Sequence, residues 1–162
     1  MQNLLITVAI ALIVLVGGGF VALRTWAASA PRPTNLGLGA DGQLAPCPGT
    51  PNCVTTQRGL ESQRMTPLVY ATSLDAAQTH LREIIASLPR TQVITDTRGY
   101  LHVEFRSPTM GYIDDVEFAF DDEAKQIHFR SASRLGVGDM GANRTRMTEL
   151  SSLWAEGDGP SR

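Results

Sequence analysis

The chain of 162 residues carries 14 Arg and Lys against 16 Asp and Glu, a net charge of −2, without long runs of like charge. This balance excludes a strongly basic surface for nucleic acid, so no nucleic-acid partner is predicted. Beyond an apolar N-terminal segment, the remaining length suffices for one domain with a modest core.

An apolar segment opens the chain. From Leu4 to Leu23 only Thr7 and three glycines interrupt the hydrophobic residues, and none is charged. This length matches the roughly 20 apolar residues that a helix needs to cross the hydrocarbon core of a bilayer. Trp26 follows where an interfacial aromatic residue belongs. We therefore predict a single-pass membrane anchor over residues 1–26, with signal-peptide cleavage after Ala30 as the alternative.

Residues 27–43 are rich in Pro, Gly and Ala without a hydrophobic period, which indicates a linker to the domain. The two cysteines, Cys47 and Cys53, follow in a stretch with three prolines. We predict a disulfide between them, because zinc would need two further ligands and a redox pair usually encloses two residues. A persistent disulfide indicates an oxidising compartment, so the domain is expected outside the cytoplasm. Arg24 and Arg32, which follow the apolar segment, favour the cytoplasmic face instead.

Periodicity predicts one domain over residues 44–156 and a frayed tail over 157–162. Between Thr72 and Pro89 apolar residues recur at helical spacing, which predicts an amphipathic helix. Four antiparallel strands and a final helix are expected after it: Gln92–Thr97, Tyr100–Arg106, Tyr112–Phe120, Gln126–Ser133 and Ala142–Trp154. The predicted fold is therefore α+β, an antiparallel four-stranded sheet packed by the two helices, behind an N-terminal transmembrane helix.

Strand parity assigns the side chains of this sheet to two faces. Eight apolar residues share one face and are expected to pack on the helix: Leu101, Val103, Phe105, Val116, Phe118, Phe120, Ile127 and Phe129. The opposite face is polar: His102, Glu104, Arg106, Asp115, Glu117, His128 and Arg130. We interpret Asp115 and Glu117 as part of a solvated charged face. A metal site that also includes Asp114 is disfavoured, because Asp114 points to the other face.

Four blocks of the sequence resemble one family, in the same order along the chain. They are Cys47–Val54, Tyr112–Phe118, Arg130–Gly136 and Asn143–Arg146. Over about Leu36 to Trp154 the chain resembles proteins that carry the domain of unknown function 1499. Such proteins are found in bacteria and plastid-bearing lineages, often behind an N-terminal hydrophobic segment. The resemblance implies no particular reaction, ligand or cofactor.

Asp114 lies on the apolar face by parity, where a carboxylate needs an ionic or hydrogen-bonding partner. The candidate partners come from the fourth strand and the segments after it: Ser131, Ser133, Arg134 and Arg144. We interpret such a pair as structural, and a pocket for a small anionic ligand is the alternative. On the structural interpretation, Asp114→Ala should destabilise the domain more than Asp115→Ala does.

Two other patterns suggest catalysis only superficially. Ser131 and Ser133 lack a Gly-x-Ser-x-Gly elbow, and His102 and His128 fall on the opposite face, which disfavours a serine hydrolase. The glycines of residues 136–141 follow a strand without a βαβ unit, so a turn-rich connector is favoured over a phosphate-binding loop.

The predicted function is a non-catalytic, membrane-tethered binding or scaffolding module of the cell envelope. Its expected contact surface is a polar cluster: Asp114, Arg130, Ser131, Ser133, Arg134, Asn143 and Arg144. The alternative is a small enzyme that acts on an anionic substrate through the aspartate and arginines of this cluster. No catalytic residue, metal or cofactor is predicted. The expected partners are the lipid bilayer, through Leu4–Leu23, and an envelope protein or a small anionic ligand.

Overall fold

A computed structural model describes residues 1–157, and its elements confirm the predicted α+β class. The helices are α1 (Gln2–Ala28), α2 (Leu74–Ser87) and α3 (Ala142–Gly157). The strands are β1 (Cys53–Thr55), β2 (Leu68–Val69), β3 (Thr91–Thr97), β4 (Tyr100–Arg106), β5 (Ile113–Asp121) and β6 (Gln126–Ser133). The sheet thus has six strands rather than the predicted four. The predicted frayed tail lies, after Gly157, outside the described residues.

α1 is the long apolar helix that the sequence predicts. It has 27 residues, and its most apolar stretch has a mean hydropathy of 2.8 and is exposed. A helix of this length and composition at the N-terminus is compatible with a membrane anchor or with a signal sequence. Its C-terminal end touches the domain, because Ala27 is fully buried and Arg24 Nη1 donates to the carbonyl oxygen of Thr109 at 3.2 Å.

The sheet is a meander from β3 to β6, and the short strands β1 and β2, which precede it in the chain, pair with β6. Its strand order is β1-β6-β5-β4-β3, and β2 pairs with the first residues of β6. All pairings are antiparallel, and Val116 lies between Val103 and Ser131, as the predicted parity requires. β1 and β2 have three and two residues, too few to display a period of two, so the sequence pattern does not reveal them.

α2 and α3 cover the apolar face of the sheet. The predicted apolar set is found there, with Phe120 partly buried and seven residues fully in the core: Leu101, Val103, Phe105, Val116, Phe118, Ile127 and Phe129. α3 adds Met147, Leu150 and Trp154 to the same core. Each large apolar side chain contributes about 1.5 to 3 kcal/mol by leaving water, so this layer is the main source of stability.

An irregular segment covers the other face of the sheet. This segment, residues 29–44, is called the strap below and includes most of the predicted linker. Ala30 and Leu44 within it are buried, and Leu44 clusters with Tyr100 and Ala119 of the sheet. The polar face therefore lies beneath the chain's own N-terminal segment.

The predicted disulfide is confirmed and lies at the end of the strap. Cys47 and Cys53 are bonded, with their Cα atoms 5.8 Å apart. Cys53 begins β1, where it pairs with Ala132 of β6, and Cys47 lies three residues after Leu44, the last residue of the strap. The bond thus fastens the C-terminal end of the strap to the edge strand of the sheet.

Candidate functional site

The structure divides the predicted polar cluster among three places. Asp114, Ser131, Ser133 and Asn143 lie between the sheet and α3, whereas Arg130 and Arg134 lie under the strap. Arg144 is exposed on α3 and donates to the carbonyl oxygens of Ser62 and Arg64. These seven side chains therefore do not line one pocket.

Asp114 forms an ion pair with Arg146 of α3, in which Asp114 is buried and Arg146 is partly exposed. Nη2 of Arg146 donates to the carboxylate, and its Nη1 donates to Ser131 Oγ at 3.1 Å and to Asn143 Oδ1 at 2.7 Å. The guanidinium carbon also lies 4.8 Å from the ring centroid of Phe105. One arginine thus supplies the ionic partner that the position of Asp114 requires.

The expectation that Arg134 or Arg144 pairs with Asp114 is wrong. Arg134 comes one residue after the last residue of β6, and alternation turns it to the strap face. Arg144 lies off the stripe of α3 that faces the sheet. That stripe, extended by one turn from the buried Leu150, reaches Arg146, so helical spacing was the signal that could have identified it.

Asn143 joins the start of α3 to the sheet. Its Oδ1 accepts from Ser131 Oγ at 2.6 Å, and its Nδ2 donates to Ser133 Oγ and to the carbonyl oxygen of Asn52, both at 3.0 Å. Asp139 caps the helix by accepting from the backbone N–H of Asn143 at 2.8 Å. Burial raises the pKa of Asp139, but hydrogen bonds to its carboxylate outweigh this effect and lower it. Both serines therefore hold helix to sheet.

Asp115 is buried beneath the strap, so its interpretation as a solvated carboxylate is wrong. Arg134 donates to both of its oxygens, with Nε 2.8 Å from Oδ2 and Nη2 2.7 Å from Oδ1. His102 Nε2 lies 2.8 Å from Oδ1 and carries a proton, because an ionised carboxylate only accepts. Burial raises the pKa of Asp115, but the hydrogen bonds from Arg134 and His102 together hold it below its ordinary value.

Glu104, opposite Asp115 on β4, extends this network to the strap. Its carboxylate accepts from Arg134, from Arg32 Nη2 at 2.7 Å and from Arg106 Nη2 at 3.1 Å. Arg32 belongs to the strap, as does Ala30, whose carbonyl oxygen accepts from Arg134 Nη1 at 3.2 Å. Burial raises the pKa of Glu104, and the arginines more than compensate and lower it.

Glu117 is fully buried on the same face, so its solvated interpretation is also wrong. It accepts from Tyr100 Oη at 2.7 Å, from the backbone N–H of Gly37 at 2.7 Å and from Arg130 Nη1 at 3.2 Å. Burial is the largest cause of a raised pKa of the Tyr100 hydroxyl, and the negative charge of the nearby Glu117 raises it further. The strap therefore supplies a backbone donor that no pattern of side chains reveals.

A groove of about 710 Å³ lies between residues 64–69 and α3 and is open to solvent. Arg144, Thr148 and Trp154 contribute to its wall. The indole Nε1 donates to the carbonyl oxygen of Val69 at 2.9 Å, which fixes the ring in place. This groove combines an apolar wall, in which Val69 is exposed and Trp154 is largely buried, with a cationic rim.

A second cavity, of about 490 Å³, lies where the Asp114–Arg146 pair reaches the surface. Arg90 and Arg106 also line it. Within residues 1–157, no group of three or more His, Cys, Asp or Glu side chains is arranged to hold a metal ion. The arginines of this cavity are of the type that pairs with anionic groups.

Comparison with known proteins gives one match. A family model described as "Protein of unknown function (DUF1499)" matches residues 43–153, which is most of the chain. No curated protein and no solved structure matches the sequence. The matched region contains all six strands and α2, and it ends within α3.

Proposed function

The chain belongs to the family of proteins of unknown function DUF1499, and we propose that it is a non-catalytic binding module of the cell envelope, tethered by α1. One observation carries this proposal: the ionisable side chains of the strap face are engaged with one another in buried networks. A general acid, base or nucleophile must reach its substrate. Asp115, Glu117 and Ser131 are each exposed by 1% or less.

Two features support the membrane tether and the compartment. The apolar stretch of α1 is long enough for a bilayer and makes no buried contact in the domain. The Cys47–Cys53 disulfide supports an oxidising environment for the domain. Together they favour a domain held on the outer side of the cytoplasmic membrane.

The contact surface that we assign is the groove between residues 64–69 and α3. Its apolar wall, with Val69 exposed, and its exposed arginines, Arg64 and Arg144, fit an extended protein segment that carries apolar and acidic side chains. The ionic network under the strap, by contrast, has no such access. The partner expected here is therefore an envelope protein.

Photo-crosslinking from the groove tests this proposal. A benzophenone amino acid at Thr148, on the groove wall, should capture a discrete protein in native membranes. The same residue at Glu83, on the exposed side of α2, is the matched control and should not. The added substitution Arg144→Glu should abolish capture at position 148. Identical products from positions 148 and 83, or none from either, would reject the groove as a binding surface.

The second cavity favours one alternative, a small enzyme or receptor for an anionic molecule. Arg90, Arg106 and Arg146 line it together, beside the single carboxylates of Asp114 and Glu149. Inorganic phosphate and phenyl phosphate are suitable probes. Either probe should raise the melting temperature of the chain but not that of Arg90→Gln, and turnover of phenyl phosphate would favour the enzyme.

A further inference from the structure

One end of the sheet lies beside the point where α1 joins the domain. This near end contains the β4–β5 loop (residues 107–112) and the β6–α3 loop (residues 134–141). Arg24 of α1 donates to the Thr109 carbonyl oxygen at 3.2 Å. A Cβ atom placed on Gly111 would lie 3.7 Å from the Cβ of Ala28. The β4–β5 loop is therefore in direct contact with the last two turns of α1.

The tips of the near end are apolar. Val137 is 70% exposed and Met140 is completely exposed, and among the described residues that follow α1 they are the most exposed large hydrophobic residues. Met140 has a φ of +54°, a conformation that is costly for a side chain of this kind. Tyr112 of the neighbouring loop is also exposed. The backbone thus holds apolar side chains away from the core at this end.

The two ends of the sheet differ in charge. The near-end loops contain two charged residues, Arg134 and Asp139, and both are turned inward: Arg134 binds Glu104 and Asp115, and the carboxylate of Asp139 caps α3. The turn at the far end, between β5 and β6, carries the charged run Asp121, Asp122, Glu123 and Lys125. The charged turn at the far end is better solvated by water, whereas loops with apolar tips and no exposed charge can lie at the boundary of a bilayer.

We propose that the near end rests in the headgroup region of the bilayer that holds α1, with Val137 and Met140 as its inserted side chains. This inference rests on the proposed function, since it requires α1 to be a membrane anchor. Arg24 is the first charged residue after the apolar stretch, so its guanidinium lies at the membrane boundary. Thr109, which accepts its hydrogen bond, lies at the same level. The domain is docked on the membrane and does not swing on a free tether.

A depth measurement on the full-length chain tests this docking. The native cysteines are bonded to each other, so a single added cysteine can be labelled without reduction. Val137→Cys and Thr109→Cys report on the two near-end loops. Val69→Cys is the matched control, because Val69 is similarly exposed but pairs with Gln126 at the far end of β6. The eight residues of β6 separate the two ends by about 23 Å at about 3.3 Å per residue.

Each variant is labelled with nitrobenzoxadiazole and reconstituted into phosphatidylcholine–phosphatidylglycerol nanodiscs. Lipids with a doxyl group near the headgroup should quench the label at positions 137 and 109, with blue-shifted emission, and leave the label at position 69 unchanged. Equal quenching at all three positions, or at none, in chains that remain with the nanodiscs would overturn the docking while the anchor stands. Chains released from the nanodiscs by carbonate would overturn the anchor, and the docking with it.

Discussion

The two faces of the sheet are buried by different means. The face under α2 and α3 is apolar, with ion pairs at its margin: the largely buried Asp114–Arg146 and the exposed Arg82–Asp96. The face under the strap buries Glu104, Asp115 and Glu117 beneath a segment without a regular helix or strand. The first face is stabilised by apolar area removed from water, whereas the second is stable only while every charge has its partner. A polar residue pattern on one face of a sheet therefore does not show that this face is exposed to solvent.

Asp115→Ala should produce the largest effect on this comparison. The substitution leaves Arg134 and His102 buried without their shared carboxylate, which should cost about 3 to 5 kcal/mol of unfolding free energy. Urea denaturation measures the loss, with Glu123→Ala in the exposed β5–β6 turn as the control. A loss no greater than that of the control would contradict the burial of the strap face.

Acid should weaken the same face. The folded-state pKa values of Glu104 and Asp115 lie below the unfolded values, so their stabilisation is complete above the unfolded pKa, at about 4, and is lost as the pH falls through the folded value. Protonation keeps the oxygen atoms in place, so the loss should be smaller than that caused by Asp115→Ala. Urea midpoints between pH 7 and pH 2.5 measure it. An unchanged midpoint below pH 4 would speak against these ion pairs.

Removing the disulfide should loosen the strap selectively. Cys47→Ser with Cys53→Ser should cost about 2.4 kcal/mol on the chain-entropy model of a short closed loop. Hydrogen exchange should then accelerate at strap amides such as Gly37 and Leu44, which donate to side chains of the sheet and of the segment after β1. The amides of α2 serve as the internal reference. Uniform acceleration throughout the domain would mean that the bond does not act on the strap.

Asp114→Ala tests the margin of the helix-covered face. Arg146 keeps its bonds to Ser131 and Asn143 and is partly exposed, so the loss should be about 1 to 3 kcal/mol. This reverses the order expected from the sequence, in which Asp114 mattered more than Asp115. Mg²⁺, Ca²⁺ or Mn²⁺ should leave the melting temperature of the wild type unchanged. Stabilisation by a metal that vanishes in Asp114→Ala would restore a metal-dependent function.

The smallest effect is expected at the rim of the strap. Arg32 is half exposed, so its bond to Glu104 is weakened by solvent, and Arg32→Ala should cost about 0.2 to 1 kcal/mol. Arg58→Ala, which breaks the exposed pair with Asp41, is the control and should cost no more. A loss at Arg32 as large as that at Asp115 would indicate that the strap is held mainly from its outer edge.

The elements that could be predicted from the sequence are those with a periodic pattern of apolar residues. The last four strands, both helices of the domain and the apolar face follow from spacings of two and of three to four residues. The Cys47–Cys53 bond follows from the cysteine count and the surrounding prolines. Which residues share the strap face was also predictable, since His102 and Glu117 are paired across β4 and β5 as expected.

The position of the strap could not be predicted, because it depends on contacts that leave no periodic pattern in the sequence. Residues 29–44 carry the composition of a linker, yet Gly37 and Leu44 contact the sheet through a backbone N–H and a single buried side chain. Nothing in a proline- and glycine-rich segment distinguishes a packed path from a free one. The pairing of Asp114 with Arg146 was missed for a different reason, since α3 was positioned only by its large apolar residues.

The order of the strands also has a consequence for how the chain folds. Strands β3 to β6 are joined by short connections, so their contacts are local and form quickly. β1 must wait for β6, its partner, which is synthesised much later, although the Cys47–Cys53 loop can close before either strand pairs. Until the strap packs on the sheet, Glu104, Asp115 and Glu117 are exposed to water. The strap joins residues that are far apart in the sequence, so its closure is expected after the local meander has formed.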